Sequence, residues 1–157
     1  MADQKGVTLI EILVCLAILA ILSAIAYPPL RSWYQRAGFR SEISSLVGCL
    51  HMAKMEAVKT NSYVVIEAHP TGYSVFVDNS SGPGEAGDWI RQAGEREIVN
   101  NRLRNGLTLA TRFHHPADKV RFHGSRPGIS AGRFILTDID GRRMDVILDT
   151  IGRIRVE

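Results

Sequence analysis

A run of 24 residues near the N-terminus, from Val7 to Leu30, places the strongest constraint on how this chain can fold. Glu11 is the one residue in residues 7–30 that carries a charge at neutral pH. A helix of this length extends about 36 Å, enough to cross a hydrocarbon core of ~30 Å. A core helix that is apolar on every face would need a much larger protein around it than a chain of 157 residues provides. The run therefore predicts a membrane-spanning helix followed by one water-facing domain.

The residues at the two ends of the run bear on whether it is an ordinary secretory signal and on how the helix is oriented in the membrane. An ordinary secretory signal would end in small residues suited to cleavage, whereas this run ends in Tyr27-Pro28-Pro29-Leu30. Lys5 precedes the run, and Arg31, Arg36 and Arg40 follow it. Because basic residues flank both ends, their local balance does not set the orientation of the helix in the membrane.

Glu11 is an anomaly in this setting, because a carboxylate near the start of a membrane helix is costly and normally serves a function. Cleavage between Gly6 and Val7 would create an α-amino group four residues before Glu11. On a neighbouring subunit, that cation would neutralise the carboxylate during assembly. A partner within the chain is the alternative, because the first turn of a helix has free N–H groups and a partial positive charge. We therefore predict a role in subunit assembly for Glu11.

The N-terminal segment resembles the class III signal of type IV prepilins. It has a short charged leader that ends at Gly6, then Val7, then Thr-Leu-Ile-Glu and an unbroken apolar run. The resemblance implies a leader of residues 1–6, cleavage between Gly6 and Val7 by a prepilin peptidase, N-methylation of Val7 and a contact between subunits through Glu11. The first mature residue in that family is usually Phe or Met, so Val7 departs from the pattern.

Helical periodicity resumes after the prolines. Apolar residues recur at steps of four and three, which predicts an amphipathic helix over residues 31–61 with one face toward a core. Pro28 and Pro29 are expected to kink or loosen the helix, because each lacks an N–H and its ring crowds the preceding turn. The apolar stripe consists of Phe39, Ile43, Leu46, Leu50, Ala53 and Ala57.

Beyond the helix the pattern changes, which predicts a β domain over residues 62–157. Two Val-rich runs flank Pro70-Thr71-Gly72 as a hairpin, and Asp140-Gly141 marks a second hairpin turn. Residues 79–87 are rich in Gly, Ser and Pro, so we expect an exposed loop there. The predicted fold class is α+β: a long N-terminal helix packed on an antiparallel β-sheet domain. The predicted strands are 63–67, 73–77, 107–111, 120–122, 133–139, 143–148 and 153–156.

Three features of the second part of the chain occur together in a known family: the helix end Ala-Val-Lys-Thr-Asn at residues 57–61, the Val-rich strand after it and the terminal Gly-Arg-x-Arg at residues 152–155. In these features the chain resembles the GspH/FimT type of minor pseudopilin. The resemblance implies a type IV pilin-like fold and a non-catalytic subunit of a type II secretion or type IV pilus system, built into or at the tip of a filament. It also implies a single-pass protein of the bacterial inner membrane with its C-terminal domain in the periplasm. The implied partners are the prepilin peptidase, other minor and major pseudopilins or pilins, and the inner-membrane assembly platform.

The C-terminal half of the chain is basic. Residues 90–157 carry 13 Lys and Arg against 8 Asp and Glu, or +5, whereas residues 1–89 carry 6 against 8, or −2. In a strand, Arg153 and Arg155 would face the same side about 7 Å apart and bind successive phosphates. Some FimT-type pilins use such a tail to bind DNA for uptake, which is the alternative function; pairing with nearby carboxylates is the plainer reading. Four more arginines would extend the patch: Arg126, Arg133, Arg142 and Arg143.

The sequence contains no motif for a nucleophile, a phosphate loop or an acid–base pair, so we expect neither enzyme activity nor a cofactor. His114, His115 and His123 lack the cysteine or well-spaced carboxylate that would complete a zinc site. Asp138 and Asp140 resemble half of a calcium loop, but arginines follow where oxygen ligands are needed. The hairpin turn is therefore the favoured interpretation of that segment.

Overall fold

The helix α1 begins at Leu9 and ends at Thr60. It is part of a computed structural model that describes residues 9–79, 86–114, 118–125 and 131–157. Strands account for most of the remaining described chain. The strands are β1 (Tyr63–His69), β2 (Gly72–Asp78), β3 (Glu97–Arg102), β4 (Thr108–Phe113), β5 (Lys119–His123), β6 (Gly132–Thr137), β7 (Arg143–Leu148) and β8 (Ile154–Val156).

The C-terminus of α1 lies one residue from its predicted position. Asn61 follows the helix in a left-handed backbone conformation, with φ of +48°. Asparagine tolerates this region better than most residues, and a left-handed residue directly after a helix is a common way to end it. Within the last turn, the Thr60 hydroxyl donates a hydrogen bond to the Glu56 carbonyl at 2.8 Å.

The chain divides into two compact units between Gly38 and Phe39, and residues of α1 belong to both. In the first unit, Pro28 and Pro29 lie inside the helix. The Ser32 hydroxyl donates a hydrogen bond to the Pro29 carbonyl at 2.9 Å. Helical structure therefore continues through both prolines, although neither supplies a backbone N–H.

The apolar side chains of the first unit are exposed. An 18-residue window of α1 is long and apolar enough to cross a membrane, and none of it is buried within the chain. A continuous apolar surface of this size is unstable in water, so its stability requires a bilayer or another protein. The large apolar residues exposed along this window and just beyond it are Leu9, Ile10, Ile12, Leu13, Val14, Leu16, Ile18, Leu19, Ile21, Leu22, Ile25 and Leu30.

In the second unit, the apolar stripe predicted on α1 is confirmed as the helical side of the core. All six predicted residues are buried, and Leu46 and Leu50 are completely so. They belong to one cluster with sheet residues such as Phe134 and Leu148. Burying a leucine side chain contributes roughly 1.5–3 kcal/mol, so the stripe holds the helix against the strands.

Four antiparallel strands form the first sheet, in the order β3-β2-β1-β5. The hairpin predicted around Pro70 is confirmed, and His69 pairs with Gly72 at its closed end. Gly72 lies in β2, opposite β3. A side chain on Gly72 would collide with the backbone oxygen of Asn101, so this glycine permits the close approach of β3.

The other four strands form a second antiparallel sheet, in the order β4-β6-β7-β8. The hairpin turn predicted at Asp140-Gly141 joins β6 to β7. Gly141 adopts φ of +77°, and its N–H donates to the Asp138 carbonyl at 3.0 Å. The conformation favours glycine because other residues enter the left-handed region at a cost.

The predicted α+β fold, with a helix packed on antiparallel strands, is confirmed. Two features were not predicted: the division of the strands into two sheets, and β3. Asn100 and Asn101 lie within β3, and asparagine is depleted in strands, which hid this element in the sequence. Of the predicted loop at residues 79–87, residues 80–85 lie outside the described chain.

Candidate assembly helix and arginine surface

Glu11 lies in the first turn of α1, and its side chain is exposed. A carboxylate in the first turn is stabilised by the partial positive charge at the N-terminus of a helix. Gly6 and Val7, the predicted cleavage and methylation residues, lie outside the described chain. The role of all three residues in processing and assembly therefore stays a prediction.

Asp145 lies at the centre of an arginine cluster on the second sheet. Arg143 donates to it through Nε at 2.8 Å and through Nη2 at 2.9 Å. Arg133 on β6 donates through Nη1 at 3.0 Å. These contacts lower the pKa of Asp145 from 3.8 to about 2, chiefly through the hydrogen bond from Arg143. The Asp145 carboxylate therefore remains charged at neutral pH and orients both guanidinium groups.

Arg142 belongs to the turn between β6 and β7. Its Nε lies 3.2 Å from Oδ2 of Asp138, and it also forms an ion pair with Asp140. Asp138 is buried, and its Oδ1 accepts the Asp140 N–H at 2.5 Å. Both carboxylates that resemble half of a calcium loop are therefore engaged by Arg142. Across the described residues, no three His, Cys, Asp or Glu side chains group in a way suited to a metal ion.

The tail that carries Gly-Arg-x-Arg forms a tight turn before the last strand. Gly152 adopts φ of +75°, and its N–H donates to the Asp149 carbonyl at 2.8 Å. The backbone carbonyl of Arg153 accepts the N–H of Asp149 at 3.0 Å. The side chain of Arg153 donates through Nη2 to Oδ2 of Asp149 at 3.2 Å. The strand predicted from Arg153 therefore begins one residue later, at Ile154. Arg153 directly precedes β8 and Arg155 lies within it, so the approach of the two side chains on one face of the sheet stays a prediction.

Strand register creates a row of arginines that the tail motif does not reveal. Arg112 on β4 pairs with Arg133 on β6, Arg133 pairs with Ile147 on β7, and Ile147 pairs with Arg155 on β8. Directly paired residues share a face, so three arginines cross one face of the sheet, and all three are exposed. Strands lie about 4.8 Å apart, which places the Cα atoms of Arg133 and Arg155 roughly 10 Å apart. No local sequence pattern indicated Arg112, because cross-strand pairing is set by the fold.

The candidate arginines thus divide into two groups. Arg142, Arg143 and Arg153 each pair with an aspartate within four residues of themselves, and Arg133 pairs with Asp145 on the neighbouring strand. No ion pair to Arg155 occurs among the side chains that the structure describes. Arg126 and His115 lie outside those residues.

Solved structures with a similar fold are pilin-like proteins. The minor pseudopilin EpsH from the type 2 secretion system of Vibrio cholerae matches with a TM-score of 0.58 and 13% identity, over 75% of this chain and 94% of that chain. The type IV minor pilin FimU of Pseudomonas aeruginosa matches with a TM-score of 0.57 and 19% identity, over 80% of this chain and 92% of that chain. The long helix on antiparallel strands therefore defines a pilin-like fold class.

Sequence comparisons agree with this class. The prokaryotic N-terminal methylation motif matches residues 1–27, and the model of the type II transport protein GspH matches residues 42–152. The chain belongs to the GspH family, as the prepilin and GspH/FimT resemblances predicted. The pilin-like protein PilA1 of Thermus thermophilus is 30% identical over 103 residues, which cover 56% of this chain and 65% of that relative. The family consists of pilin and pseudopilin subunits; the expectation that this chain has no enzyme activity stays a prediction.

Proposed function

We propose that this chain is a minor pseudopilin or minor pilin of a type II secretion or type IV pilus system, anchored in the bacterial inner membrane and assembled into or at the tip of a filament. The observation that carries the proposal is the contrast between the two parts of α1. The part from Leu9 to Ala26 is exposed all round and, apart from Glu11, carries no charge, whereas the part from Phe39 to Thr60 supplies one side of a buried core. The first part is available for lipid and later for other subunits, while the second carries the folded domain, which would lie in the periplasm.

Processing would precede assembly. The match of residues 1–27 to the methylation motif supports cleavage of the leader, residues 1–6, by a prepilin peptidase. Cleavage between Gly6 and Val7 would leave an α-amino group at Val7, the residue proposed to be methylated. Mass spectrometry of the protein from cells with the peptidase should find a chain that starts at Val7; a chain that retains the leader would overturn this step.

Assembly would transfer α1 from lipid to neighbouring subunits. The partners would be other minor and major subunits, delivered by the inner-membrane assembly platform. Head-to-tail contacts use different surfaces on each subunit, so they generate open filaments rather than closed rings. In this step, the amine of an adjacent subunit would neutralise Glu11, which lowers the cost of moving its carboxylate into a buried interface.

A pair of leucine substitutions tests the role of Glu11. Glu11→Leu should leave leader cleavage and membrane insertion intact, because it makes the span more apolar, yet it should block incorporation into filaments. Glu42→Leu is the matched control, since it removes a carboxylate from the same helix outside the apolar part. Immunoblots of sheared filaments and of membranes would show what share of each variant is incorporated into filaments. Normal incorporation of Glu11→Leu would contradict the proposed neutralisation.

DNA binding for uptake is a second candidate function, and the row of Arg112, Arg133 and Arg155 favours it. Arg112 and Arg133 are like charges on directly paired residues, which is destabilising, and Asp145 compensates Arg133 alone among the two; an anionic ligand beside Arg112 would relieve the repulsion that is left. Guanidinium groups bind phosphate oxygens bidentately, and a row across a sheet would follow a phosphate backbone. Arg133, Arg143 and Arg153 already pair with aspartates, so they could bind phosphate only by exchanging those partners, which exposed ion pairs permit at little cost.

Gel-shift titration of the detergent-solubilised chain with duplex DNA would test this candidate. R112Q/R155Q should weaken binding and reduce the salt slope by about one unit per arginine. R102Q/R104Q removes the same charge from outside the second sheet and should leave the slope unchanged. An equal loss in both variants would indicate net charge alone, and no binding at low salt would dismiss the candidate.

A further inference from the structure

Positively charged and aromatic residues appear together where the apolar window of α1 ends. From Ile12 to Gly38 the charged residues are Arg31 and Arg36, both positive. The same stretch contains three large amphipathic aromatics, Tyr27, Trp33 and Tyr34, although the whole chain has just 2 Trp and 4 Tyr. All three aromatic side chains are more than 60% exposed. Tyrosine and tryptophan concentrate where hydrocarbon meets water, because one end of each side chain is apolar and the other is polar.

The two prolines indicate the same boundary between hydrocarbon and water, through their effect on backbone hydrogen bonds. In a regular helix, the N–H groups of residues 28 and 29 would bond the carbonyls of Ala24 and Ile25. Pro28 and Pro29 have no N–H, so these carbonyls lose their usual donors. A carbonyl without a donor costs several kcal/mol in hydrocarbon, but water and lipid headgroups can supply one. The helix therefore suits a level at which the hydrocarbon ends near Ala24 to Pro29.

Helix geometry brings the basic and aromatic groups to one level. Tyr27, Leu30, Arg31, Trp33 and Tyr34 line an open groove of about 390 Å³ within the first unit. Tyr27 and Trp33 are six residues apart, about 9 Å along the axis, which is similar to the depth of the polar layer on one side of a bilayer. Arginine reaches phosphate from this depth, because its apolar stem stays in contact with lipid while the guanidinium group extends toward the headgroups.

We propose that Tyr27, Arg31, Trp33, Tyr34 and Arg36 form a headgroup collar that binds the phosphate of anionic phospholipids and sets the depth of α1 in the membrane. The proposal rests on the membrane anchoring proposed above and adds a lipid class and a set of binding residues. Two arginines without an acidic neighbour in the same stretch favour anionic over zwitterionic lipids, since zwitterionic headgroups carry no net charge. The collar holds the subunit until filament contacts replace those with lipid.

Trp33 provides a direct reporter, because Trp89 is the other tryptophan and W89F removes it. Full-length W89F would be reconstituted in vesicles of phosphatidylcholine with a minor fraction of phosphatidylglycerol. One sample would contain brominated phosphatidylcholine and the other brominated phosphatidylglycerol, and the same fraction of all lipids would be brominated in both. We expect stronger quenching of Trp33 by brominated phosphatidylglycerol, with an enrichment that declines as salt rises. R31Q/R36Q in the same background should lose the enrichment, so that both brominated lipids quench equally, because each arginine contributes attraction to an anionic surface.

Controls separate the collar from the assembly role. R102Q/R104Q removes two charges from the second unit and should retain the enrichment. E11L should also retain it, because Glu11 is on the opposite side of the apolar window. Equal quenching by both brominated lipids in W89F, or an unchanged enrichment in R31Q/R36Q, would overturn the collar even if E11L still blocked assembly. Absence of quenching by either lipid would contradict membrane insertion at this depth as well.

Discussion

Arg143 and Asp145, two residues apart on β7, form an ion pair through two hydrogen bonds of 2.8 and 2.9 Å. Arg133 reaches the same carboxylate from β6. The basic face of the second sheet therefore includes an acidic residue, which orients both guanidinium groups toward its carboxylate. A phosphate that bound Arg133 or Arg143 would have to compete with this carboxylate.

Acid should weaken the second unit through Asp145. Its pKa is about 2 in the folded protein against 3.8 ordinarily, because Arg143 and Arg133 stabilise the carboxylate. A lowered folded-state pKa means that the unfolded chain takes up the proton first as pH falls. The contribution of Asp145 should thus be complete above about pH 4 and lost between about pH 4 and pH 2. Urea unfolding of wild type and Asp145→Asn should differ more at pH 6 than at pH 2; a constant difference would contradict the ion pair.

Gly48 should accept alanine with a gain in stability. It lies inside α1, and a Cβ added there would meet nothing within 4 Å. Alanine has less backbone freedom to lose than glycine, so Gly48→Ala should raise the free energy of unfolding by about 0.5–1 kcal/mol. Gly124→Ala is the contrasting control, because its Cβ would lie 2.8 Å from the Ala57 carbonyl oxygen and should destabilise the protein. Thermal unfolding of both variants would show whether each substitution raises or lowers the stability of the protein.

Leu46 should be among the most sensitive positions of the helix. Its side chain is completely buried against the strands. Leu46→Ala removes apolar contacts and leaves a cavity, so we expect a loss of about 2–5 kcal/mol in chemical denaturation. Val58→Ala on the same helix provides the reference, because Val58 is 60% exposed and its truncation should change stability by less than about 0.5 kcal/mol. Similar losses in the two variants would contradict the packing of α1.

Asp78 should hold the segment after residue 85 against the first sheet. The buried carboxylate accepts the N–H of Gly87 at 2.6 Å and that of Trp89 at 3.0 Å. The guanidinium group of Arg121 lies 4.2 Å from the ring of Trp89. Asp78→Ala should cost about 1.5–3 kcal/mol, because hydrogen bonds to a charged acceptor are lost and two donors are left unpaired. Asp78→Asn keeps one acceptor oxygen and should cost less, and Trp89 emission in a W33F background would report the local change.

Local patterns were sufficient for several elements. The stripe from Phe39 to Ala57, the hairpin at Pro70 and the turn at Asp140-Gly141 are each encoded within a few consecutive residues, where periodicity and turn chemistry act directly. β3 could not be predicted in this way. Its strand character depends on pairing with β2 and on the space that Gly72 leaves, both of which are remote in sequence from Glu97–Arg102.

Local sequence patterns were also insufficient to predict the arrangement of the candidate binding residues. Arg153 and Arg155 were recognisable from the tail motif, but β8 begins one residue later than predicted, at Ile154. Arg112 was invisible, because it joins Arg133 only through the register of β4 with β6. Glu11 remains a prediction from sequence, since its proposed partner belongs to another subunit.

The sequence by itself determined the apolar N-terminal helix, its single acidic residue, the amphipathic continuation and the α+β class, because each follows from composition and short-range periodicity. The tertiary structure alone decided the two-sheet arrangement, the pairing of Asp145 with Arg133 and Arg143, and the arginine row across the second sheet. These depend on which strands become neighbours and in what register, a choice made by the packing of the whole core.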